Sequence, residues 1–290
     1  MARSPEQKAR GIDVFDRIIH RIGFGSNGHK ETQRSIFDRY PELRKIPEDG
    51  WPQNVFIIPD GNGRWAQAKK LAVQAGHERG AIRIVQAFRE FSELSEYIPF
   101  VGAWGFSVDN LNRSEDEINY LMNLFERTIK LLRPELQERN NRFVHIGRRD
   151  ILERRPSLKE VIENTERETE YNTGQTLYIA LGFGGEDQEL RMAQRVAETV
   201  KANPSLEVTT ELIHSLRDGG GLILPADLIV RTSGEHRTSD VGWLNSGNTE
   251  LDFINKFFPS IAMKDFVGSL VRFSQRERRM GSRPSANQIK

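Results

Sequence analysis

Residues 55–66, Val-Phe-Ile-Ile-Pro-Asp-Gly-Asn-Gly-Arg-Trp-Ala, place an acid, two glycines and an arginine directly after a short apolar run. That run reads as a buried strand. It breaks at Pro59-Asp60-Gly61-Asn62-Gly63, and the stretch 64–75 then suits a helix. Glycines between a strand end and a helix start let backbone N–H groups close around a phosphate. Asp60 is the anomaly in such a loop. A bare carboxylate repels phosphate, so the two belong together only with a divalent cation between them. The competing account is a plain strand-to-helix turn with Asp60 as its N-cap.

Ligands of open α/β sheets gather at the C-terminal ends of strands, and phosphate-suited residues recur at successive candidate ends. Asp60, the glycines and Arg64 follow the first, with Gly76 and His77 one helix further on. Ser107, Asp109, Asn110, Asn112 and Arg113 follow the second, and Gly182-Phe-Gly-Gly follows the fourth. Arg231-Thr-Ser-Gly-Glu-His-Arg237-Thr-Ser239 follows the fifth. Guanidinium forks match phosphate oxygens two at a time. The set suits a polyanion rather than hydride or acyl transfer, and Glu250, in a polar segment beyond, offers a second carboxylate for a metal. Singly, each residue has a plainer account. His77 suits a surface or helix-capping position, Arg231 an ion pair with Glu235 or Asp227, and 115–117 a solvated helix start with Ser114 as N-cap.

The elements that must position these residues alternate from residue 52 onward. Strands are expected at 55–58, 100–106, 143–146, 177–181 and 228–230, and helices at 81–97, 115–138, 157–171, 186–202 and 210–215. Pro134 is expected to kink or end the second of these helices. The alternation predicts one α/β domain with a mostly parallel central sheet flanked by helices. Ahead of it, Ile12, Val14, Phe15, Ile18, Ile19 and Ile22 recur at helical spacing, either packing on the body or lying at a membrane surface. The run from Gly23 to Lys30 fails as a phosphate loop: His29 intrudes, Glu31 stands where Ser or Thr belongs, and no strand precedes it. A dinucleotide loop also fails. Gly61-Asn-Gly63-Arg-Trp-Ala66 fits its spacing, but the acid before the first glycine opposes an uncoordinated pyrophosphate, and no second strand ends in an acid about twenty residues on.

Lys and Arg number 42 against 41 Asp and Glu, a net +1, so no global field favours nucleic acid or an anionic membrane. With no cysteine, disulfides, thiolate zinc sites and cysteine nucleophiles are excluded. No run is long enough to span a bilayer and no signal-peptide core is evident. A cytoplasmic protein is expected.

These motifs resemble the cis-prenyltransferases of the undecaprenyl diphosphate synthase type, from Asn54 to Gly281. The matching blocks are Asp60-Gly-Asn-Gly-Arg-Trp-Ala66 with Gly76-His77, Phe106-Ser-Val-Asp-Asn-Leu-Asn-Arg113, and Ala180-Leu-Gly-Phe-Gly-Gly185. Two more follow: Asp227-Leu-Ile-Val-Arg-Thr-Ser-Gly-Glu-His-Arg237 and Arg276-Glu-Arg-Arg-Met-Gly281. The resemblance implies an allylic diphosphate primer, isopentenyl diphosphate as second substrate, Mg²⁺, and new cis double bonds. It implies that Asp60 helps hold the metal, while Gly61, Asn62, Gly63, Arg64 and His77 cradle the primer's diphosphate beside Trp65. It gives Asn110 the proton-removing position, with Ser107, Asp109 and Arg113 around it. Arg231, Arg237 and Ser239 take the isopentenyl diphosphate, Glu250 is a second metal-linked carboxylate, and Arg279 and Gly281 reach a neighbouring subunit's diphosphate in a homodimer. Residues 1–50 become a partly helical extension, 51–281 the catalytic domain and 282–290 a flexible tail. Peripheral membrane contact would suit a lipid product, and no nucleic-acid partner is implied. An apolar cleft for the chain is expected from the faces carrying Ile84, Val85, Phe88 and Phe91 and then Leu121, Met122, Leu124 and Phe125, which equally suit an ordinary core. No Asp-Asp-x-x-Asp cluster, the device of the all-trans synthases, is present.

Some positions depart from the family pattern. Val73 stands where an arginine often supports the primer's diphosphate, Asp109 and Leu111 replace Glu and Trp, Gly182 and Glu186 replace Asn and Arg, and Asn54 replaces a His. Three readings follow: a chain-elongating enzyme, a diverged member making a short, irregular or cyclised product, and a non-catalytic partner subunit of a heteromeric transferase.

Overall fold

Val55, Phe56 and Ile57 are fully buried and Ile58 nearly so, as a central strand covered on both faces must be. In a computed structural model, which describes residues 34–278, this strand is β1 (Asn54–Ile58) at the middle of a six-stranded sheet. The others are β2 (Phe100–Ser107), β3 (Arg142–Ile146), β4 (Thr176–Phe183), β5 (Leu228–Thr232) and β6 (Glu250–Ile254). Their order is β3-β4-β2-β1-β5-β6, and every neighbouring pair is parallel. The chain leaves β1 toward β2 on one side and later returns to β5 on the other. A crevice therefore opens past the end of β1, where ligands of such sheets bind.

The helices are α1 (Ile36–Arg39), α2 (Asn62–Ala68), α3 (Val73–Phe91), α4 (Glu115–Glu138), α5 (Asp150–Glu153), α6 (Pro156–Glu168), α7 (Gly185–Ala202), α8 (Thr210–Ser215) and α9 (Met263–Ser274). Alternating strand residues feed two cores. Val55, Ile57, Val101 and Ile179 pack with α3, α4, α6 and α9 on one face. Phe56, Ile58, Tyr178 and Ile229 pack with residues around Leu244 on the other. The observed fold is thus α/β, with a parallel sheet flanked by helices.

Several boundaries differ from expectation, each for a local reason. The helix expected over 64–75 is split: α2 ends at Ala68, Lys70 adopts a left-handed φ of 56°, and α3 restarts at Val73, ahead of the expected 81. Pro134 does not end α4, which runs on to Glu138 with Leu132 and Leu136 buried around it. β6 and α9 were not expected. Residues 34–50 include α1 and pack on the body, with Ile36, Leu43 and Ile46 in the same core as Trp51. The helix expected over 12–22, and both Arg279 and Gly281, lie outside the described residues. Among the described residues, no helix is long and apolar enough to cross a membrane.

Candidate active site

Asp60 follows β1 directly, and its backbone is fixed from two sides. Its carbonyl accepts from Thr232 Oγ1 at 2.8 Å and from the Phe258 N–H at 3.0 Å. Gly61 then turns the chain into α2 with φ 93°; a Cβ there would lie 2.7 Å from Phe257 and from Ser233 Oγ, so the turn requires glycine. The first intrahelical bond runs from Trp65 N–H to Gly61 O at 2.9 Å. The N–H groups of Asn62, Gly63 and Arg64 precede it and have no helical acceptor. α3 crosses close above: a Cβ on Gly76 or Gly80 would collide with Asn62.

The Asp60 carboxylate lies between two arginines. Oδ1 accepts from the Gly61 N–H at 2.6 Å and from Arg64 at 3.2 Å, and Oδ2 accepts from Arg231 at 3.0 Å. Arg231 is level with Ile58 across the β1–β5 pair and only 5% exposed. Its second Nη donates to Ser239 Oγ and to the Arg237 carbonyl, each at 2.7 Å. Neither Glu235 nor Asp227 is its partner. Glu235 instead binds Arg64 at 2.7 Å and Arg237 at 2.5 Å, and the Arg64 hydrogen bond holds its carboxyl below the usual range. Burial opposes the Arg64 charge, but its bonds to Glu235 and Asp60 outweigh that and raise its pKa.

Past β2, Ser107 and Asn110 bind each other reciprocally. The Ser107 N–H donates to Asn110 Oδ1 at 3.1 Å and the Asn110 N–H to Ser107 Oγ at 3.2 Å. Arg113 pairs with Glu117 at 2.8 Å, and Ser114 caps α4 through the Glu117 N–H. Glu117, expected to be merely solvated, lines the same cavity; its i, i+4 spacing from Arg113 was the available signal. His77 projects from α3, where burial first, and then the Arg113 charge, push its pKa down.

These groups share one cavity of about 790 Å³, lined by Asp60, Gly61, Asn62, Gly63, Arg64 and His77 from one side. Ser107, Asp109, Asn110 and Arg113 line another, and Arg231 and Ser239 a third. Its apolar end takes Ile84, Leu121, Leu124 and Phe125 as expected, whereas Val85, Phe88, Phe91 and Met122 are core. Asp240, Thr128 and Ile179 line it as well, unforeseen from the sequence.

Three expected residues are not in the lining. Trp65 turns away and donates to Ser260 Oγ at 2.9 Å. The exposed Arg237 side chain pairs with Glu235, and only its carbonyl reaches Arg231. Glu250 is corrected most. It opens β6 opposite Leu228, where its carboxylate binds Arg276 at 2.8 Å. Leu228 pairs with Val55, five residues before Asp60. That is roughly 10 Å or more along the strands and about 10 Å across them. Within one chain the two carboxylates cannot share an ion. Among the described residues, no group of three or more His, Asp or Glu could hold a metal alone.

A family model described as "Putative undecaprenyl diphosphate synthase" matches residues 58–281, a span that contains every strand but β1 in full, and all the cavity's polar groups. The chain belongs to the cis-prenyltransferase family. This cis-prenyltransferase is 34% identical to an isoprenyl transferase of Rhodopirellula baltica, over 79% of this chain and 93% of that protein. It is 35% identical to dehydrodolichyl diphosphate synthase 2 of Arabidopsis thaliana, over 89% and 84%. Among solved structures, lavandulyl diphosphate synthase from Lavandula x intermedia, in complex with dimethylallyl diphosphate, aligns with a TM-score of 0.73 and 25% identity, covering 79% of this chain and 98% of that one. This chain is a transferase of prenyl groups by kinship, and its departures from the family pattern have visible consequences. Val73 lies in the cavity, within 3.6 Å of where a Gly63 Cβ would be. A side chain at Gly182 would collide with Ile151. Glu186 is exposed, and its N–H sits 3.3 Å from each Asp240 carboxylate oxygen. Asn54 is structural, bridging Leu224 O and Tyr178 Oη.

Proposed function

We propose that this cis-prenyltransferase joins an allylic diphosphate to a second prenyl diphosphate and releases a short product, not a long polyprenyl series. The cavity volume carries this reading. About 790 Å³ lies within the range of sites for one small molecule, roughly 300–1,000 Å³, and two diphosphates must occupy its polar end. The kinship with a lavandulyl diphosphate synthase, whose structure holds a five-carbon allylic diphosphate, supports the same reading. So does Val73, which removes a cation from the primer's subsite. The intact Ser107–Asn110 pair and the identity to isoprenyl transferases favour a second reading, chain elongation.

In either case the first step breaks the allylic C–O bond, and the electron pair leaves on the diphosphate. Arg64, Arg231 and the N–H groups of residues 62–64 face that developing charge, and fixed donors of this kind stabilise it. Lowering of its pKa keeps His77 a neutral donor there. Asp60 would hold Mg²⁺ together with substrate phosphate oxygens, and Mg²⁺ bound in this way supplies further positive charge to the leaving group. One carboxylate suffices for an ion completed by substrate, which fits the donors present. The second substrate's double bond then attacks the allylic carbon, and loss of a proton beside Asn110 restores neutrality. A carboxamide is a weak base, so Asn110 orients the proton toward a released phosphate oxygen.

The chain beyond α9 is drawn to the N-terminal end of the sheet by Arg276 on Glu250 and Arg278 on Asp227. The resemblance assigns Arg279 and Gly281, which lie outside the described residues, to a neighbouring subunit's diphosphate, and a homodimer is proposed on that ground.

The test is purified protein with Mg²⁺, labelled isopentenyl diphosphate, and dimethylallyl, geranyl and farnesyl primers in turn. Incorporation stopping after one or two units, or product formed from dimethylallyl diphosphate alone, is expected. A ladder of long polyprenyl diphosphates would overturn the short-product reading in favour of elongation. No turnover of any primer would return the partner-subunit reading.

A further inference from the structure

α3 and α4 both wall the prenyl cavity. Val73, His77 and Ile84 of α3 line it, and so do Glu117, Leu121 and Phe125 of α4. The neighbouring positions of α3, Gln74 and Glu78, meet α4 instead. Tyr120, one turn after Glu117, donates its hydroxyl to them: Oη lies 2.9 Å from Glu78 Oε1 and 3.2 Å from the Gln74 carbonyl oxygen. None of these three residues lines the cavity. Their tie sits at its shoulder, beside His77 and Glu117 of the polar end and just ahead of Leu121, where the apolar wall begins. Further along the same two helices, Arg89 faces Glu135 at 3.8 Å. The closer and firmer link is therefore the one at Tyr120.

Both partners are half-buried. Burial first, and then the Glu78 charge, push the Tyr120 pKa up, so the hydroxyl keeps its proton and remains a donor. Burial also pushes the Glu78 carboxyl up, against the Tyr120 hydrogen bond and the Arg127 charge. A carboxylate already short of water loses more by giving up such a donor than an exposed one would. Separation of α3 from α4 at this point is therefore opposed by a single, identifiable bond.

The geometry points to Tyr120 as a positioning residue that sets the spacing of α3 and α4 and thereby selects the length of prenyl tail the cavity accepts. The inference rests on the short-product reading of that cavity. A five-carbon tail ends beside the diphosphate cradle, whereas a fifteen-carbon tail must run on between Ile84 and Phe125. In about 790 Å³ shared with two diphosphates, the longer tail gains room when α4 moves off α3, and the Tyr120 tie resists that movement. Since Tyr120 lies outside the lining, it acts on the tail through the helices it joins.

The test is calorimetric titration of the full chain, with Mg²⁺, by unreactive thiodiphosphate analogues of dimethylallyl and farnesyl diphosphate. Tyr120→Phe removes the hydroxyl alone. It should tighten the farnesyl analogue roughly tenfold, the worth of one hydrogen bond to a charged group, while the dimethylallyl analogue stays within about twofold. Glu78→Gln keeps an acceptor oxygen and removes a half-buried charge, so it should preserve the wild-type ratio of affinities. General loosening of the fold would weaken both analogues alike. An unchanged ratio in Tyr120→Phe, an equal loss for both analogues, or the same shift in Glu78→Gln overturns the proposal. Should Tyr120→Phe fail to fold, Glu78→Met, which keeps the stem without the acceptor, carries the comparison. Product length from the wild-type chain is a separate readout. A long polyprenyl ladder there refutes the short-product reading, while the ratio of affinities still decides the role of Tyr120.

Discussion

At the scale of single residues, the decisive group is the Asp60 carboxylate, because two arginines already share it. Arg231 is buried and aligned by Asp60, Ser239 and the Arg237 carbonyl. Removing Asp60 leaves two of those three acceptors, so the fold should survive. Asp60→Ala is expected to abolish turnover while lowering stability by about 1–3 kcal/mol, less than the roughly 3–5 kcal/mol of a fully buried broken pair. Product formation and urea unfolding measure the two effects separately, and undiminished activity would sink the assigned role. Val73 poses the converse question. It faces the cavity beside Gly63 with no charge to offer a diphosphate. Val73→Arg should tighten binding of an allylic diphosphate analogue by roughly tenfold or more, the worth of one charge-assisted contact, as read by calorimetry. Unaltered affinity would mean that the primer's diphosphate lies elsewhere in the cavity.

At the scale of elements, the site depends on how closely α3 crosses α2. Gly76 and Gly80 allow Asn62 to sit against the α3 backbone, which fixes the first turn of α2 and with it the loop carrying Asp60. Alanine raises helix propensity by about 1 kcal/mol over glycine, but a Cβ at Gly76 has no room. Gly76→Ala is therefore expected to destabilise the fold by about 1–3 kcal/mol, as overpacking does, and to raise KM for the primer. Gly63→Ala, whose Cβ would meet Val73 at an ordinary 3.6 Å, should change stability far less. Equal losses in thermal unfolding would refute this account. The same elements show what was legible in the sequence. β1 to β5 were visible because each is an apolar run bounded by turn residues, and the strand-end rule then gathered Asp60, Ser107, Asn110 and Arg231 correctly. β6 was not, because Glu250-Leu-Asp-Phe-Ile carries two acids in five residues. Only the fold reveals that Arg276 and Arg272 neutralise them. The position of Glu250, at the opposite end of the sheet from Asp60 within one chain, was equally invisible: a motif gives order along the chain, not which end of a parallel strand a residue occupies.

At the scale of the whole molecule, the sheet separates two cores, and its β3 edge and its prenyl cavity each make a measurable demand. On the β3 edge, the folded chain refuses a proton at His145 until pH about 4, whereas the unfolded chain accepts it near the ordinary value of 6.5. Stability from this residue is complete above pH 6.5 and is lost as the pH falls toward 4, by about 3 kcal/mol in total. His145→Gln, which can still donate to Leu181, should flatten the fall in urea stability between pH 7 and pH 5; an unchanged slope would remove His145 from the acid sensitivity. On the other side, the prenyl cavity ends against α4, where Phe125 lines it and approaches Gly105 of β2 closely enough that a Cβ there would lie 3.2 Å from the ring. If cavity volume limits the product, the ring of Phe125 is part of the stop, and it makes no contact with Asp60 or Arg231. Phe125→Ala should lengthen the longest product by at least one five-carbon unit with a farnesyl primer, at a stability cost below the roughly 3–5 kcal/mol of a fully enclosed Phe→Ala. The rate of diphosphate release in the first turnover should hold, since the ionising end is untouched. Product of unchanged length from an active variant would show that release, not the wall at α4, ends the reaction, and the short-product reading would then have to rest on the subsite around Val73 alone.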